Sequence, residues 1–210
     1  MSLAENASDI RNLALVNVGA ATLLRPTKLW TCTDLLARPC PVPASAGVYA
    51  WFFDWCPQGV PIEGLVRSNG FVLLYVWVSP KRPSAVGSPS RQTLRSRLQY
   101  HFQGNAEGST LRLSLGCLLS QSLGIELRRV GSGRRMTFGA AGERALNDWL
   151  ERNARVAWLE CSEPWRIEEQ MIRSVSLPLN LDQNRHDGFH SELAKRRRAA
   201  KARARELPVA

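Results

Sequence analysis

The sequence predicts a mixed fold of the α+β class, and three observations carry that expectation. Two runs, Gly47 to Phe53 and Phe71 to Val78, are rich in aromatic and branched residues and read as strands. Beyond them apolar residues recur at helical spacing, as with Leu94, Leu98 and Phe102, four residues apart. Short apolar runs on either side of Gly131-Ser132-Gly133 read as a hairpin. A chain of 210 residues, 44% of them apolar, buries a proper core and favours one domain with appendages over two domains.

Each element follows in order. Residues 1–43 form an N-terminal extension with apolar positions at loosely helical spacing, including Ile10, Leu13, Leu15 and Val18, ended by Pro39-Cys40-Pro41-Val42-Pro43. The two strands are neighbours with a long connection holding Pro57, Gly59, Pro61 and Gly64. After a Gly, Ser and Pro-rich loop from Ser79 to Ser90, Ser88-Pro89 offers a cap and first turn for a helix from Pro89 to Phe102. A second helix covers Leu111 to Leu119, and hairpin strands cover Ile125 to Val130 and Met136 to Phe138. A helix over Gly142 to Asn153, a strand over Val156 to Cys161 and a helix opened by Pro164-Trp165 complete the core, with no internal repeat. Residues 185–210 include the basic, Ala-rich run Lys195 to Arg205, a solvated helix or a frayed tail.

Charge narrows the partners. Against 18 acidic residues stand 28 Lys and Arg, a net charge of +10 that attracts polyanions and puts nucleic acid first. A membrane is not expected as partner, because the most apolar stretch, Leu13 to Leu24, is interrupted by Asn17 and is shorter than a bilayer span. Met1 to Glu5 has no basic start followed by an apolar run, so a cytoplasmic protein is expected. The five cysteines include no CxxC pair and are expected as reduced thiols, without a zinc site.

Arg97 and His101 share one face along the edge of the Leu94, Leu98, Phe102 stripe. An arginine there can fork onto a phosphate oxygen and a histidine can relay a proton at neutral pH, although a surface arginine beside a half-buried histidine fits the same pattern. On the last core helix Trp165, Ile167, Met171, Ile172 and Val175 define an apolar arc that includes Glu168, with Glu169 near its edge. A carboxylate turned toward a core must be ion-paired, protonated or bound to a cation.

In this setting Gly47-Val48-Tyr49 and Tyr75-Val76-Trp77 resemble the two signature tripeptides of the GIY-YIG nucleases. The family's Leu-x-x-Arg-Leu-x-x-His helix has its match in Leu94, Arg97, Leu98 and His101. Its glutamate before a Leu-Ile pair and closing Pro-x-Asn segment match Glu168 before Met171-Ile172 and Pro178-Leu179-Asn180. Counting back from Pro178 selects Glu169 instead, and the helical phase decides for Glu168. The resemblance spans residues 45 to 184, with a nuclease-like domain over 44–184, and departs from the family twice. The tyrosines are 26 residues apart, which implies an inserted loop between Phe53 and Phe71, and Trp77 stands where the family has glycine.

The resemblance implies a small central antiparallel sheet flanked by helices and an endonuclease hydrolysing phosphodiester bonds, with DNA the expected substrate. It implies one magnesium or manganese ion held by Glu168, charge stabilisation by Arg97, and Tyr49 as the base that takes the proton from water. Tyr75 and His101 orient the water or pass the proton on, and Asn180 fixes the site. Two rows of residues stand outside this set. His186 and His190, four apart near Asp182, Asp187 and Glu192, read as a solvated turn rather than a metal site. In the tail Lys195, Arg196, Arg197, Arg198 and Lys201 fit both a solvated face and nucleic-acid phosphate contacts. The alternative function is a nucleic-acid-binding protein on the same fold that does not cut.

Overall fold

The computed structural model describes residues 16–83 and 90–210. Ile10, Leu13, Leu15 and the Ser88-Pro89 cap lie outside the described residues. A four-stranded antiparallel sheet, in the order β2-β3-β1-β6, forms the centre: β1 is Gly47–Phe53, β2 Arg67–Ser68, β3 Phe71–Ser79 and β6 Ala154–Glu160. A separate hairpin pairs β4 (Arg128–Val130) with β5 (Arg135–Thr137) around Gly131 and Gly133, whose φ values of 61° and 80° favour glycine. The α+β class, with an antiparallel sheet and flanking helices, is the one expected.

Every residue of β1 is buried, because both faces of the sheet are covered. Tyr49, Trp51, Phe53, Tyr75 and Trp77 face one side, together with α2 (Cys32–Leu36), α3 (Leu94–Gln103), α4 (Thr110–Leu123) and α5 (Gly139–Asn153). Val48, Ala50, Phe52, Val76 and Val78 face the other, against α6 (Pro164–Ser174) and a helical segment over 16–24, α1. Val18 of that segment is 64% exposed, so Ala20 and Leu23 carry its packing. Gly47 permits the close meeting of sheet and α3: a Cβ there would lie 2.3 Å from the Leu159 carbonyl oxygen and 2.5 Å from Leu94 Cδ1.

A bulge sits where β1 pairs Trp51 with Tyr75 and Phe52 with Leu73, leaving Leu74 without a partner in the register. It precedes Tyr75, so the alternation from Tyr75 to Trp77 stays regular. The Leu74 carbonyl then accepts from Leu179 N at 3.0 Å, tying the segment after α6 to the sheet.

Several element bounds shift by a few residues from expectation, and three differences have an evident cause. Helix α3 starts at Leu94 rather than Pro89, because Thr93 and Ser96 form a reciprocal capping box. A second capping box, Thr31 with Asp34, starts α2 inside the extension read only as loosely helical. The basic tail is a docked helix, α7 (His190–Glu206), with Leu193 and Ala204 fully buried against the body; it is not frayed. All five cysteines are free, as expected, and among the described residues no helix is long and apolar enough to cross a membrane.

Candidate active site

The two tyrosine strands and α3 bring a chain of polar groups into the aromatic core. Tyr49 and His101 are both fully buried, with the Tyr49 hydroxyl 2.7 Å from His101 Nε2. His101 Nδ1 lies 2.7 Å from Ser109 Oγ, and Ser109 also caps α4 by accepting from Arg112 N. The imidazole is boxed edge-on by Tyr49, Trp51 and Tyr75, with ring centroids at 5.4, 5.5 and 6.4 Å. Tyr75 reaches Thr110, hydroxyl to hydroxyl, at 3.0 Å.

Burial sets the protonation of this chain. It pushes Tyr49 well above the usual phenol value, with Tyr75 adding to the rise, and the nearby Arg97 guanidinium opposes it without prevailing. Burial likewise holds His101 well below the usual imidazole value, helped by Arg97 and Arg112. The resting pair is therefore a neutral phenol against a neutral imidazole. Arg97 donates from one terminal nitrogen to the Gly108 carbonyl at 2.7 Å, while its Nε is buried without a hydrogen-bond partner among the described residues.

The two glutamates of α6 part company. Glu168 is 4% exposed and its Oε1 has no partner among the described residues, whereas Glu169 points outward to Arg82 at 3.4 Å. Burial, with Asp182 and Glu169 adding negative potential and Lys81 opposing, pushes the Glu168 carboxyl up to about 8. A buried carboxylate oxygen without a donor, in a negative potential, suits a divalent cation. Among the described residues no three His, Cys, Asp or Glu side chains stand together as a ligand cage. One carboxylate with water completing the shell is magnesium's habit. His186 and His190 donate instead to the carbonyls of Ile172 and Leu181, at 2.9 and 3.2 Å.

A cleft beside β3 has two lobes that share Trp77, Lys81, Asp182 and Gln183. One, of about 290 Å³, is walled by Glu168, Glu169 and Trp165; the other, of about 520 Å³, by Tyr75, Thr110 and Arg197. Trp77 is 6% exposed, lies nearly parallel to Tyr75 at 6.0 Å between centroids, and has Lys81 Nζ 4.6 Å above its ring. In the sheet it pairs with Tyr49, and cross-strand partners share a face. The indole thus stands between the two lobes on the tyrosine face, and Tyr49 lines neither lobe. A further cavity, of about 350 Å³, lies by α1 and α6 on the opposite face, lined by Val16, Gly19 and Ile167, away from these groups.

Asn180 is 1% exposed and acts on backbone. Its Oδ1 accepts from Val76 N at 3.0 Å and its Nδ2 donates to Val76 O at 2.8 Å, so the side chain serves as a strand partner between Tyr75 and Trp77. Two groups escaped the sequence reading. Ser109, legible only as a helix cap, is the far end of the His101 chain. Arg112, fully buried, binds Glu143 at 2.6 Å and donates to the carbonyls of His101 and Phe102, which anchors the end of α3. Of the tail cations, Arg197 alone reaches the cleft; Arg196 pairs with Glu192 at 2.8 Å, and Lys195 and Arg198 are exposed.

A scan against family models matches residues 47–199, from β1 into α7, to the GIY-YIG catalytic domain. Searches of curated proteins and of solved structures gave no match. The match covers well over half of the chain and takes in both tyrosine strands, α3 and α6: this protein belongs to the GIY-YIG catalytic domain family.

Proposed function

We propose that this nuclease-family domain is a divalent-cation-dependent endonuclease that hydrolyses phosphodiester bonds in DNA. The observation that carries the reading is the buried, partnerless oxygen of Glu168 in the wall of a cleft that also holds Tyr75, with Arg97, Tyr49 and His101 behind it. Glu168 would hold the cation, with water completing its shell. A bound magnesium or manganese ion supplies neutralisation of phosphate charge and of the leaving 3′-oxygen. Arg97, whose Nε has no partner among the described residues, would add positive potential for the charge gathering on the phosphoryl oxygens.

Proton transfer falls to the buried chain. With its proton on Nδ1, toward Ser109, His101 presents Nε2 as acceptor to the Tyr49 hydroxyl. Once the Trp77 indole opposite it gives way to substrate, Tyr49 takes the proton of the attacking water as it passes its own to His101. The new bond is water oxygen to phosphorus, and the P–O3′ bond breaks. The neutral imidazole can accept that proton, while burial makes the resulting imidazolium short-lived. Asn180 positions the strand that carries Tyr75, and the tail cations Lys195, Arg196, Arg198 and Lys201 contribute phosphate contacts.

One observation favours the second reading, a binder that does not cut: Trp77 stands opposite Tyr49, which is fully buried and reaches neither lobe. Incubation with supercoiled, linear, single-stranded and branched DNA, in magnesium or in chelator, separates the two. The nuclease reading expects magnesium-dependent products from at least one substrate. Retarded but intact DNA throughout would establish the binder.

A further inference from the structure

Helix α7 docks by a stripe of Leu193, Arg197, Ala200 and Ala204, spaced four, three and four residues apart. Leu193 and Ala204 are fully buried and Ala200 packs against the same core. An arginine thus occupies a position where the helix calls for an aliphatic side chain. Among the described residues it has no carboxylate within ion-pair distance, and its one hydrogen bond, to Ser114 Oγ, is long at 3.5 Å. On the same helix Arg196 pairs with Glu192 and Arg203 with Glu126 and Glu206, while Lys195 and Arg198 are unpaired among the described residues but exposed to solvent.

Arg197 is half-buried in the wall of the cleft, and partial desolvation of a cation without a carboxylate partner is unfavourable, so the position favours an anion brought from outside. Its surroundings agree. The lobe of about 520 Å³ that Arg197 enters also takes Lys81, Arg185 and His190, against the single exposed carboxylate of Asp182. Tyr75 and Thr110 add hydroxyls to the same wall. Burial also lowers the proton affinity of Arg197 from its ordinary value, the signature of a cation short of solvent.

We infer that this lobe is a built phosphate site in which Arg197 holds a backbone phosphodiester of the bound strand, distinct from the one cut beside Glu168. The inference rests on the nuclease reading for its choice of ligand. The site makes α7 part of the substrate channel and gives Arg197 a separate function from the exposed tail cations.

The test is fluorescence anisotropy of a labelled oligonucleotide on the full chain, in chelator, over a salt series. Arg197→Met keeps the apolar packing of the aliphatic stem without the guanidinium; Arg144→Ala, exposed on α5 and lining neither lobe, is the control for lost charge. The expected result is that Arg197→Met weakens binding about tenfold and makes the log affinity against log salt slope shallower by about one ion. Arg144→Ala should stay within about twofold. The melting temperature of Arg197→Met should equal or exceed that of the parent, since an unpaired cation has been removed from a docking stripe. A fall in melting temperature with unchanged affinity would make Arg197 a structural residue and overturn the inference, as would slopes equal to the control's. Adding a 5′-phosphate to the oligonucleotide should not change the Arg197 effect; an effect confined to the 5′-phosphorylated strand would assign the lobe to chain ends and refute the backbone site. Because chelator removes cutting from the measurement, the two readings fail separately. Binding through Arg197 without cleavage in magnesium refutes the nuclease alone, and Glu168-dependent cleavage with Arg197→Met unaltered refutes the phosphate site alone.

Discussion

Glu168 makes stability depend on pH in a direction opposite to that of a paired carboxylate. Its carboxyl stands near 8 in the fold against an ordinary 4.5, so below about 4.5 it is protonated in both states and contributes no pH dependence. Between those values the unfolded chain ionises while the folded one stays neutral, so stability falls as pH rises, and the loss is complete above about 8. In chelator the parent should therefore lose about 1–4 kcal/mol more than Glu168→Gln between pH 6 and pH 9. Parallel denaturation profiles for the two proteins would show that Glu168 is better solvated than its 4% exposure implies. Trp77 offers a second test at this scale. Trp77→Gly removes the indole opposite Tyr49, at a cavity cost of about 3–5 kcal/mol, and should raise the cleavage rate with little loss of DNA binding. A variant that stays folded and loses both binding and cutting would make the indole a substrate contact.

At the scale of elements, the site depends on how α3, α4 and α5 are locked together. Arg112 joins all three through Glu143, Asn147 and the last carbonyls of α3, and Glu143 in turn accepts from Ala106 N and Phe138 N. Arg112→Ala leaves the Glu143 carboxylate without its cation and should cost about 3–5 kcal/mol in a denaturant titration. A cost under about 1 kcal/mol would mean that water replaces the guanidinium. None of this network was legible beforehand, because a buried arginine on a helix has no signature in local spacing. Elements β1, β3 and α6 were legible for contrary reasons: the strands are dense aromatic and branched runs, and α6 has a clean apolar arc around Glu168. Five-residue α2 and two-residue β2 were missed because each is held by a capping box or an edge pair rather than by an apolar pattern. Docking of α7 was hidden too, since its stripe is one leucine, two alanines and an arginine.

For the molecule as a whole, the ordered set of Tyr49, Tyr75, Arg97, His101, Glu168 and Asn180 could be proposed from sequence because the family's motifs fall at fixed helical and strand positions. Their relation in space was not. Sequence gave no sign that Asn180 would act as a strand partner to Val76, or that Trp77 would face Tyr49 across the sheet. The net charge of +10 fits a polyanion partner without saying which groups meet it, and it took the fold to separate Arg197 from the rest of the tail.

If one buried carboxylate anchors a cation for phosphodiester hydrolysis, a pair of neutral substitutions on α6 must behave differently. Glu168→Gln and Glu169→Gln remove the same charge from adjacent residues of α6, one buried with an oxygen that has no partner among the described residues and one half-buried and paired with Arg82. Cleavage of the best DNA substrate should be measured against magnesium concentration for both variants and the parent, with melting temperatures alongside. Glu168→Gln, folded and at least as stable as the parent at pH 8, should lose cleavage by a factor of about 1000 or more at every magnesium concentration, while Glu169→Gln stays within about threefold. Cleavage by Glu168→Gln at the parent's rate, or its loss in Glu169→Gln instead, would contradict that role for Glu168.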